Sequence, residues 1–293
     1  MRGSTPPLPL RQSFDNPLMA LLTLLDAQLA FGHVALLDHA DFSLLEAERV
    51  GLIGRNGAGK SSLLKILGGL ESPDDGQLQR QTGLRVAYVH QEPQIASTLT
   101  VFEAVSAGLA PVIALYERYM AHDPADDLDA IQTQLEALGG WTWEQRVTET
   151  LQRLHLDPTA LVGSLSGGTR KRVALAQTFI NSPEILLMDE PFGALDALTR
   201  VHMQDQLLDA WSREQRTVMF ITHDVDEAVY LANRVIVMAA RPGRLDQIIP
   251  VDLPYPRTEA IRLSPEFAAI RNRVWHAVYH QKPQTGQQSS HGQ

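Results

Sequence analysis

The chain has 293 residues, a formal net charge of −9, 44% hydrophobic residues and no cysteine. This length and hydrophobic content suffice for one large α/β domain or two small ones. The acidic balance gives no support to a broadly basic nucleic-acid-binding surface, although it leaves a local patch open. The lack of cysteine excludes disulfides, thiolate metal sites and cysteine nucleophiles, and it fits a reducing compartment.

We predict that both ends of the chain are disordered. Residues 1–18 form a leader that contains several prolines and lacks the apolar centre of a secretory signal. Residues 282–293 are polar and form a tail. No apolar run reaches the roughly 18 residues of a spanning helix, so we expect any membrane association to go through a partner.

Apolar runs separated by short polar breaks predict β-strands in the first part of the chain. We expect a first strand at residues 20–25 that continues through residues 28–32 to a turn, and further antiparallel strands at residues 34–37 and 40–45. A short, largely apolar strand at residues 48–53 follows them.

Residues 54–61, GRNGAGKS, fit the pattern of a phosphate-binding loop. The small residues let backbone N–H groups wrap around a polyphosphate, and the helix predicted at residues 62–67 places its N-terminus there. Lys60 would carry a charge to the β and γ phosphates, and the Ser61 hydroxyl suits Mg²⁺. A chance glycine loop is the alternative, which the flanking strand and helix disfavour. The predicted nucleotide ligands are Gly54, Asn56, Gly57, Ala58, Gly59, Lys60, Ser61 and Ser62.

After this loop the periodicity predicts a strand at residues 84–89 and then a helical insertion at about residues 101–160. Strands and helices alternate after the insertion, which argues for a parallel sheet covered on both faces. We therefore predict an α/β domain over residues 19–248. Residues 249–281 form a C-terminal extension with a proline-marked connector and an amphipathic helix.

Two acids follow a buried-type strand at residues 184–189. In open α/β sheets the carboxyl ends of the strands lie beside the ligand. Asp189 is placed to hold Mg²⁺, and Glu190 is placed to act on the γ-phosphate side as general base or water-orienting group. The alternative is that paired acids simply end a strand in solvent.

A second anion site is predicted where Ser166, Gly167 and Gly168 open a helix with a basic first turn. One chain thus carries two helix N-termini that are suited to binding phosphate. The economical explanation is a composite site, in which this segment of one copy closes on the nucleotide of another. A capped helix after a glycine loop is the alternative.

Three further residues complete the predicted site. Gln91 ends a strand and offers an amide oxygen to Mg²⁺ or to the attacking water, although a lone glutamine is usually solvated. His223 also ends a strand and can donate to the γ-phosphate, although ten histidines make any one unremarkable. Phe31 could stack on adenine, although an aromatic residue of a first strand more often belongs to the core.

Together these motifs resemble the ATP-binding cassette (ABC) ATPase domain over roughly residues 22–238. The resemblance assigns residues 54–61 as Walker A, Gln91 as Q-loop, residues 166–168 as signature and residues 193–196, ending in Asp196, as D-loop. It implies a P-loop NTPase of ABC type with a mainly parallel core sheet, an antiparallel β subdomain and a helical subdomain. It also implies ATP and Mg²⁺ as cofactors, and a head-to-tail dimer with two ATP molecules at its interface. Lys60, Gln91, Glu190 and His223 are then the catalytic residues.

Two subfamilies share this resemblance. Residues 31–176 are similar to ABC-F proteins, which act on the ribosome. From residue 187 onward the chain is similar to ATPase subunits of nitrate, sulfonate and taurine importers. The importer reading predicts an ATPase subunit that dimerises and drives a separate membrane permease from the cytoplasmic face of the inner membrane. The alternatives are an ABC-F-like ribosome-associated ATPase and an uncoupled hybrid.

Overall fold

In a computed structural model of the chain, the described residues are 20–31, 34–193, 195–214, 216–240 and 242–280. The leader and tail predicted at residues 1–18 and 282–293 lie outside them. In chain order the strands are β1 (Ala20–Phe31), β2 (Val34–Leu45), β3 (Arg49–Gly54), β4 (Asp75–Arg80), β5 (Val86–Val89), β6 (Ile185–Asp189), β7 (Thr217–Ile221), β8 (Arg234–Ala239) and β9 (Arg244–Pro250).

The helices, again in chain order, are α1 (Lys60–Gly68), α2 (Val101–Ser106), α3 (Ala110–Ala121), α4 (Leu128–Leu138), α5 (Trp143–Arg153), α6 (Gly167–Phe179), α7 (Ala197–Glu214), α8 (Val225–Leu231), α9 (Glu259–Arg262) and α10 (Pro265–Tyr279). Short 3₁₀ turns lie at Ala107–Leu109, Gly140–Thr142 and Val162–Ser164. Among the described residues, no helix is both long and apolar enough to cross a membrane.

The core of the fold is a six-stranded sheet in the order β5-β6-β7-β3-β8-β9. All its pairs are parallel except β8 with β9. Every residue of β6 and β7 is buried, as expected of strands covered on both faces. The predicted α/β class with a mainly parallel sheet is therefore confirmed.

A separate antiparallel sheet has the order β2-β1-β4. The sequence predicts two strands at residues 34–37 and 40–45, but the structure has one strand, β2, with a register irregularity near its middle. His39 has a φ of 49° and faces Asp26, which has a φ of 51°, with 2.5 Å between Nδ1 and Oδ1. The polar break in the sequence therefore marks a bulge rather than the end of a strand.

Helices α2 to α5 form the predicted helical insertion. Thr100 begins it with a capping box, in which its side chain and that of Glu103 each bond to the other's backbone N–H. Asp127 caps α4, where its side chain accepts a hydrogen bond from Ala130 N. The apolar faces of α2 and α5 join the core that packs on one face of the large sheet.

The sequence analysis missed two strands, β4 and β9. Strand β4 is mostly exposed and its glycine and acidic residues predict a turn, yet it pairs with β1 at the edge of the small sheet. Strand β9 pairs antiparallel with β8, and it runs across residue 248, where the sequence analysis divides the domain from the extension. That division stays a prediction.

The C-terminal extension packs against the core of the α/β domain. Helix α10 buries Phe267 and Val274 in the same hydrophobic core as Val229 and Tyr230 of α8. Arg257 is 5% exposed and donates from Nη1 to the carbonyl oxygens of Val229 at 2.8 Å and Tyr230 at 2.7 Å. The end of α8 is thus held by the extension.

Candidate active site

Four adjacent strands bring the predicted site residues to one edge of the large sheet. Strand β3 ends at Gly54 and β6 ends at Asp189, while Gln91 and His223 follow β5 and β7 by two residues. Because these strands are parallel neighbours, their carboxyl ends lie side by side. Residues that are far apart in sequence therefore meet at the N-terminus of α1.

A cleft of about 700 Å³ lies at this edge. It brings the phosphate-binding loop together with Gln91, Glu190 and His223. Two apolar residues, Leu36 and Ile221, also line it. Among the described residues the lining consists of Leu36, Asn56, Gly57, Ala58, Gly59, Lys60, Ser61, Ser62, Gln91, Glu190, Ile221 and His223.

The loop at residues 54–61 has the conformation of an anion cradle. Gly57 and Gly59 have φ values of 77° and 83°, which L-residues with side chains rarely adopt. Gly59 also approaches β2 so closely that a Cβ would lie 2.2 Å from the carbonyl oxygen of Leu36. Helix α1 begins without a side-chain cap, so its first backbone N–H groups are available to a phosphate.

Lys60 lies under this loop with 8% of its surface exposed. Its Nζ donates to the carbonyl oxygens of Gly54 at 2.8 Å and Arg55 at 3.1 Å. Burial lowers the pKa of Lys60, and the charges of Glu190 and Asp189 oppose that change. The ammonium is thus held at the start of the phosphate-binding loop, and its role toward the β and γ phosphates stays a prediction.

Glu190 is held in a left-handed backbone conformation with a φ of 46°, which is uncommon outside glycine. Its N–H donates to the carbonyl oxygen of Ile221 at 3.1 Å, and its own carbonyl accepts from Gly193 N at 3.1 Å. The same carbonyl accepts from Nζ of Lys171, also at 3.1 Å. These three bonds fix the strained residue and place its side chain in the cleft.

Two polar side chains flank the Glu190 carboxylate. Gln91 donates from Nε2 to Oε2 at 3.2 Å. Nδ1 of His223 lies 3.7 Å from Oε1, and the His223 side chain is 63% exposed against 23% for Glu190. The carboxylate is thus partly shielded and faces the loop between an amide and an imidazole, as a group that orients water would.

The donor set at the cleft fits Mg²⁺, which prefers oxygen ligands. Ser61 lies in the first turn of α1, and the bond from Gln91 Nε2 to Glu190 leaves Oε1 of Gln91 for a metal. Asp189 lies almost buried behind the lining residues. Its Oδ2 accepts from the Tyr88 hydroxyl at 3.4 Å, and burial raises the pKa of Tyr88. Ser61 and Gln91 thus line the cleft, and the part of Asp189 in holding a metal stays a prediction.

The predicted signature residues and Asp196 do not line this cleft. Ser166 caps α6, and its Oγ accepts from Thr169 N at 3.2 Å. Ser166 and Gly167 are exposed. Asp196 accepts from Thr199 N at 3.0 Å, and hydrogen bonds from the Thr199 side chain and backbone N–H lower the pKa of Asp196. Their roles toward nucleotide stay predictions, and the exposure of the signature leaves it open to a second copy.

Phe31, predicted to stack on adenine, ends β1 with 81% of its surface exposed. It is not among the residues that line the cleft, so its role also stays a prediction.

Sequence reasoning missed Leu36, Tyr88 and Lys171. Leu36 and Tyr88 occupy strand positions that resemble ordinary core residues, so nothing in the sequence marks them. Lys171 is visible in the sequence only as part of a basic first turn of a helix, and its burial, because of which it needs an acceptor, appears only in the structure. Burial lowers its pKa, which is the same effect seen at Lys60.

A phosphate loop on a helix N-terminus, beside acids at the ends of neighbouring parallel strands, defines a P-loop nucleotide-binding protein. The family model described as ABC transporter matches residues 37–193. The chain belongs to this family, as an ATP-binding subunit of ABC transporters.

Relatives extend over nearly the whole chain. A protein of Brucella abortus whose name gives only ATP binding is 54% identical over 269 residues, which cover 90% of this chain and 95% of the relative. The aliphatic sulfonates import ATP-binding protein of Bacillus subtilis is 37% identical over 246 residues, covering 81% of this chain and 85% of the relative. The importer-type resemblance is thereby supported, whereas the likeness to ABC-F proteins gains no support here.

Solved structures show the same fold. A dimeric bacterial ABC transporter cassette superposes with a TM-score of 0.62 at 24% identity, covering 80% of this chain and all of the cassette. A post-hydrolysis dimer of an ATP-binding cassette bound to ADP and phosphate gives 0.61 at 23% identity, with the same coverage. At this identity the likeness concerns the fold alone.

Proposed function

We propose that this chain is the ATP-hydrolysing subunit of an importer-type ABC transporter, and that it drives a separate membrane permease through ATP-dependent dimerisation. One observation carries the hydrolytic part of the proposal. Glu190 faces the phosphate-binding loop across the cleft, between the amide of Gln91 and the imidazole of His223. The importer part is supported by relatives named for sulfonate import.

The chemistry is an in-line attack of water on the γ-phosphate of ATP. The backbone N–H groups of the loop and the ammonium of Lys60 hold the phosphates. Glu190 orients the water and accepts its proton as the new P–O bond forms, while ADP leaves with the electrons of the broken bond. His223 donates to the γ-phosphate. Catalysis is thus mostly positioning and electrostatics.

Mg²⁺, when bound, supplies positive charge beside the β and γ phosphates. Ser61, Gln91 and Asp189 are the residues proposed to hold it. Tyr88 would orient Asp189 through the hydrogen bond to Oδ2.

The site is proposed to become complete only in a head-to-tail dimer. Ser166, Gly167 and Gly168 of one copy would close on the γ-phosphate held by the other, and Asp196 would lie near the same interface. ATP binding would close the dimer and hydrolysis would open it. Such a subunit works on the cytoplasmic face of the inner membrane, bound to its permease.

The importer proposal is preferred over an ABC-F-like ribosomal factor for two reasons. The alignment to a sulfonate import protein covers 81% of the chain, so it includes part of the N-terminal half that resembles ABC-F proteins. The net charge of −9 also disfavours broad contact with ribosomal RNA.

Affinity capture tests which partner the chain serves. The Glu190→Gln variant, captured from its native host with ATP, is expected to retain an integral membrane protein, and the wild type with ADP is the matched control. Recovery of ribosomes instead would replace the importer proposal with the ribosomal one. Recovery of the chain's own dimer alone would support an uncoupled cassette.

A further inference from the structure

A buried chain of hydrogen bonds runs from the C-terminal extension to the residue before His223. Arg262 of α9 donates from Nη2 to Oε1 of Gln204 in α7 at 2.6 Å. Gln204 donates from Nε2 to Oε1 of Glu227 in α8 at 3.1 Å. Thr222 donates from Oγ1 to the other carboxylate oxygen of Glu227. Four separate segments are thus joined through one carboxylate.

The inner members of this chain are almost fully buried. Gln204 and Thr222 are each 2% exposed, and Glu227 is 5% exposed. A buried carboxylate is costly unless it is hydrogen-bonded, and both its oxygens accept a bond here. Buried hydrogen-bond networks of this kind fix the geometry of their members, and loss of one member leaves its partner unpaired.

Thr222 clamps the backbone on both sides of His223. Its N–H donates to the carbonyl oxygen of Leu52 at 3.2 Å, which ties it to the neighbouring strand β3. Its Oγ1 accepts from Asp224 N at 3.0 Å, so one hydroxyl contacts residues 224 and 227 together. Asp224 in turn caps α8 by accepting from Glu227 N at 3.2 Å. His223 is therefore presented to the cleft from a short, fully bonded turn.

Several polar and charged groups on neighbouring elements shift the pKa of the Glu227 carboxyl group. Burial raises its pKa to about 7, and the bonds from Thr222 and Gln204 oppose that rise. The charge of Asp224 raises the pKa further, and that of Arg200 lowers it. Arg262 reaches Glu227 only through Gln204, while Asp226 on the same helix pairs with Arg271 at 3.8 Å. The charge of Glu227 also raises the pKa of Lys171, although less than the charge of Glu190 does.

We propose that Glu227 is a positioning residue for ATP hydrolysis. It holds His223 toward Glu190 through its hydrogen bond with Thr222. Glu227 is itself fixed by the C-terminal extension, through the hydrogen bonds of Gln204 and Arg262. The proposal rests on the proposed ATPase function. It assigns the extension a direct part in setting the turnover rate, because α9 carries the outer end of the chain of bonds.

A matched pair at Thr222 tests the inner part. Thr222→Val keeps the shape of the side chain but removes the hydroxyl, whereas Thr222→Ser keeps the hydroxyl. We expect kcat to fall by about tenfold or more in Thr222→Val with KM for ATP unchanged, because misplacement of a catalytic group affects turnover. Thr222→Ser is expected to stay within about twofold of the wild type. Equal activity of Thr222→Val and wild type would overturn the proposal.

A double-mutant cycle that combines Thr222→Val with His223→Ala distinguishes a positioning role of Thr222 from a general loss of structure. If Thr222 acts through His223, Thr222→Val causes no further loss of the residual turnover in a His223→Ala background. An equal fold-loss in both backgrounds would mean that Thr222 acts elsewhere, and the proposal would be wrong.

The ring ¹⁵N signals of His223 give a readout that needs no turnover. They are expected to shift in Thr222→Val and to stay near wild type in Thr222→Ser, and unchanged signals in both would contradict the proposal. If the wild type hydrolysed no ATP, the proposed function would fail by itself, and this spectrum would still report whether Thr222 positions His223.

A second pair tests the outer end of the chain. Arg262 and Arg271 both belong to the extension and both contact α8, Arg262 over the ring of Tyr230 and Arg271 at Asp226, but only Arg262 belongs to the hydrogen-bond chain. Arg262→Leu is expected to lower kcat severalfold without changing KM, and Arg271→Leu is expected to leave kcat unchanged. Unchanged kcat in Arg262→Leu, or an equal loss in both variants, would remove the extension from the proposal.

Discussion

Gln91 donates a hydrogen bond of 3.2 Å from Nε2 to Oε2 of Glu190, although 99 residues separate them in sequence. Gln91 lies on the segment that leads from strand β5 toward the helical insertion, and Glu190 directly follows the neighbouring strand β6. A movement of the insertion would therefore move Gln91 and, through this bond, the Glu190 carboxylate that faces the phosphate loop. This bond connects the start of the helical insertion to the proposed chemistry.

Gln91→Ala is expected to lower kcat at least about tenfold, because it removes a donor that orients the carboxylate. ATP binding is expected to remain, since the loop and Lys60 supply it. Steady-state kinetics measures kcat, and equilibrium binding measures the affinity for ATP. An equal loss of binding and turnover would show that Gln91 supports the nucleotide rather than Glu190.

Mixing two inactive variants tests the composite site. Lys60→Ala removes the phosphate cation, and Ser166→Arg blocks the signature. In a head-to-tail dimer of one copy of each, one site has both defects and the other has none. The mixture is therefore expected to regain turnover that neither variant shows alone. A mixture as inactive as its components would contradict the head-to-tail arrangement, and each variant mixed with wild type serves as the control.

Gly167→Ala tests the signature without disturbing the fold. A Cβ at Gly167 meets no atom within 4 Å among the described residues, so the free energy of unfolding should stay equal or rise by up to about 1 kcal/mol. ATP-dependent dimerisation should nevertheless weaken, because the new methyl group would face the partner's nucleotide. Urea unfolding and size-exclusion chromatography with ATP check both outcomes.

Gly243→Ala is the contrasting variant. A Cβ at Gly243 would lie 1.9 Å from the carbonyl oxygen of Leu36 and 2.7 Å from that of Ala58. The backbone must therefore shift beside the phosphate loop, so both stability and ATP affinity should fall. A Gly243→Ala protein as stable as the wild type would contradict this close approach.

The buried carboxylate of Glu227 predicts how stability depends on pH. Its pKa is about 7 in the folded state against 4.5 as the ordinary value, so the folded protein binds the proton more tightly than the unfolded chain does. A carboxyl group of this kind opposes folding above pH 7 and ceases to do so as pH falls toward 4.5. Between pH 8 and pH 5.5 the wild type should gain about 2 kcal/mol relative to Glu227→Gln.

Urea unfolding of both proteins at the two pH values measures this difference. Because the other titrating groups are common to both proteins, their effects cancel in the comparison. Parallel pH profiles for wild type and Glu227→Gln would show that Glu227 titrates in its ordinary range.

The parallel sheet and the positions of Asp189, Glu190 and His223 could be predicted from sequence, because apolar runs that end in polar residues have few other structural explanations. Strand β4 could not, since its exposed polar residues and Gly76 carry the pattern of a turn and only pairing with β1 makes it a strand. The role of Glu227 was equally hidden. A glutamate near the start of a helix normally faces solvent, whereas this one is 5% exposed and hydrogen-bonded to Gln204 of α7.

Glu190 is the residue on which the account depends most. Its left-handed backbone, fixed by bonds to Ile221, Gly193 and Lys171, aims the carboxylate at the cleft. The most direct test is the rate of phosphate release from ATP by wild type and Glu190→Gln, with ATP binding measured on the same samples. The account predicts that Glu190→Gln binds ATP like the wild type and loses turnover by about a hundredfold or more. Hydrolysis by Glu190→Gln at the wild-type rate would contradict the assignment of Glu190.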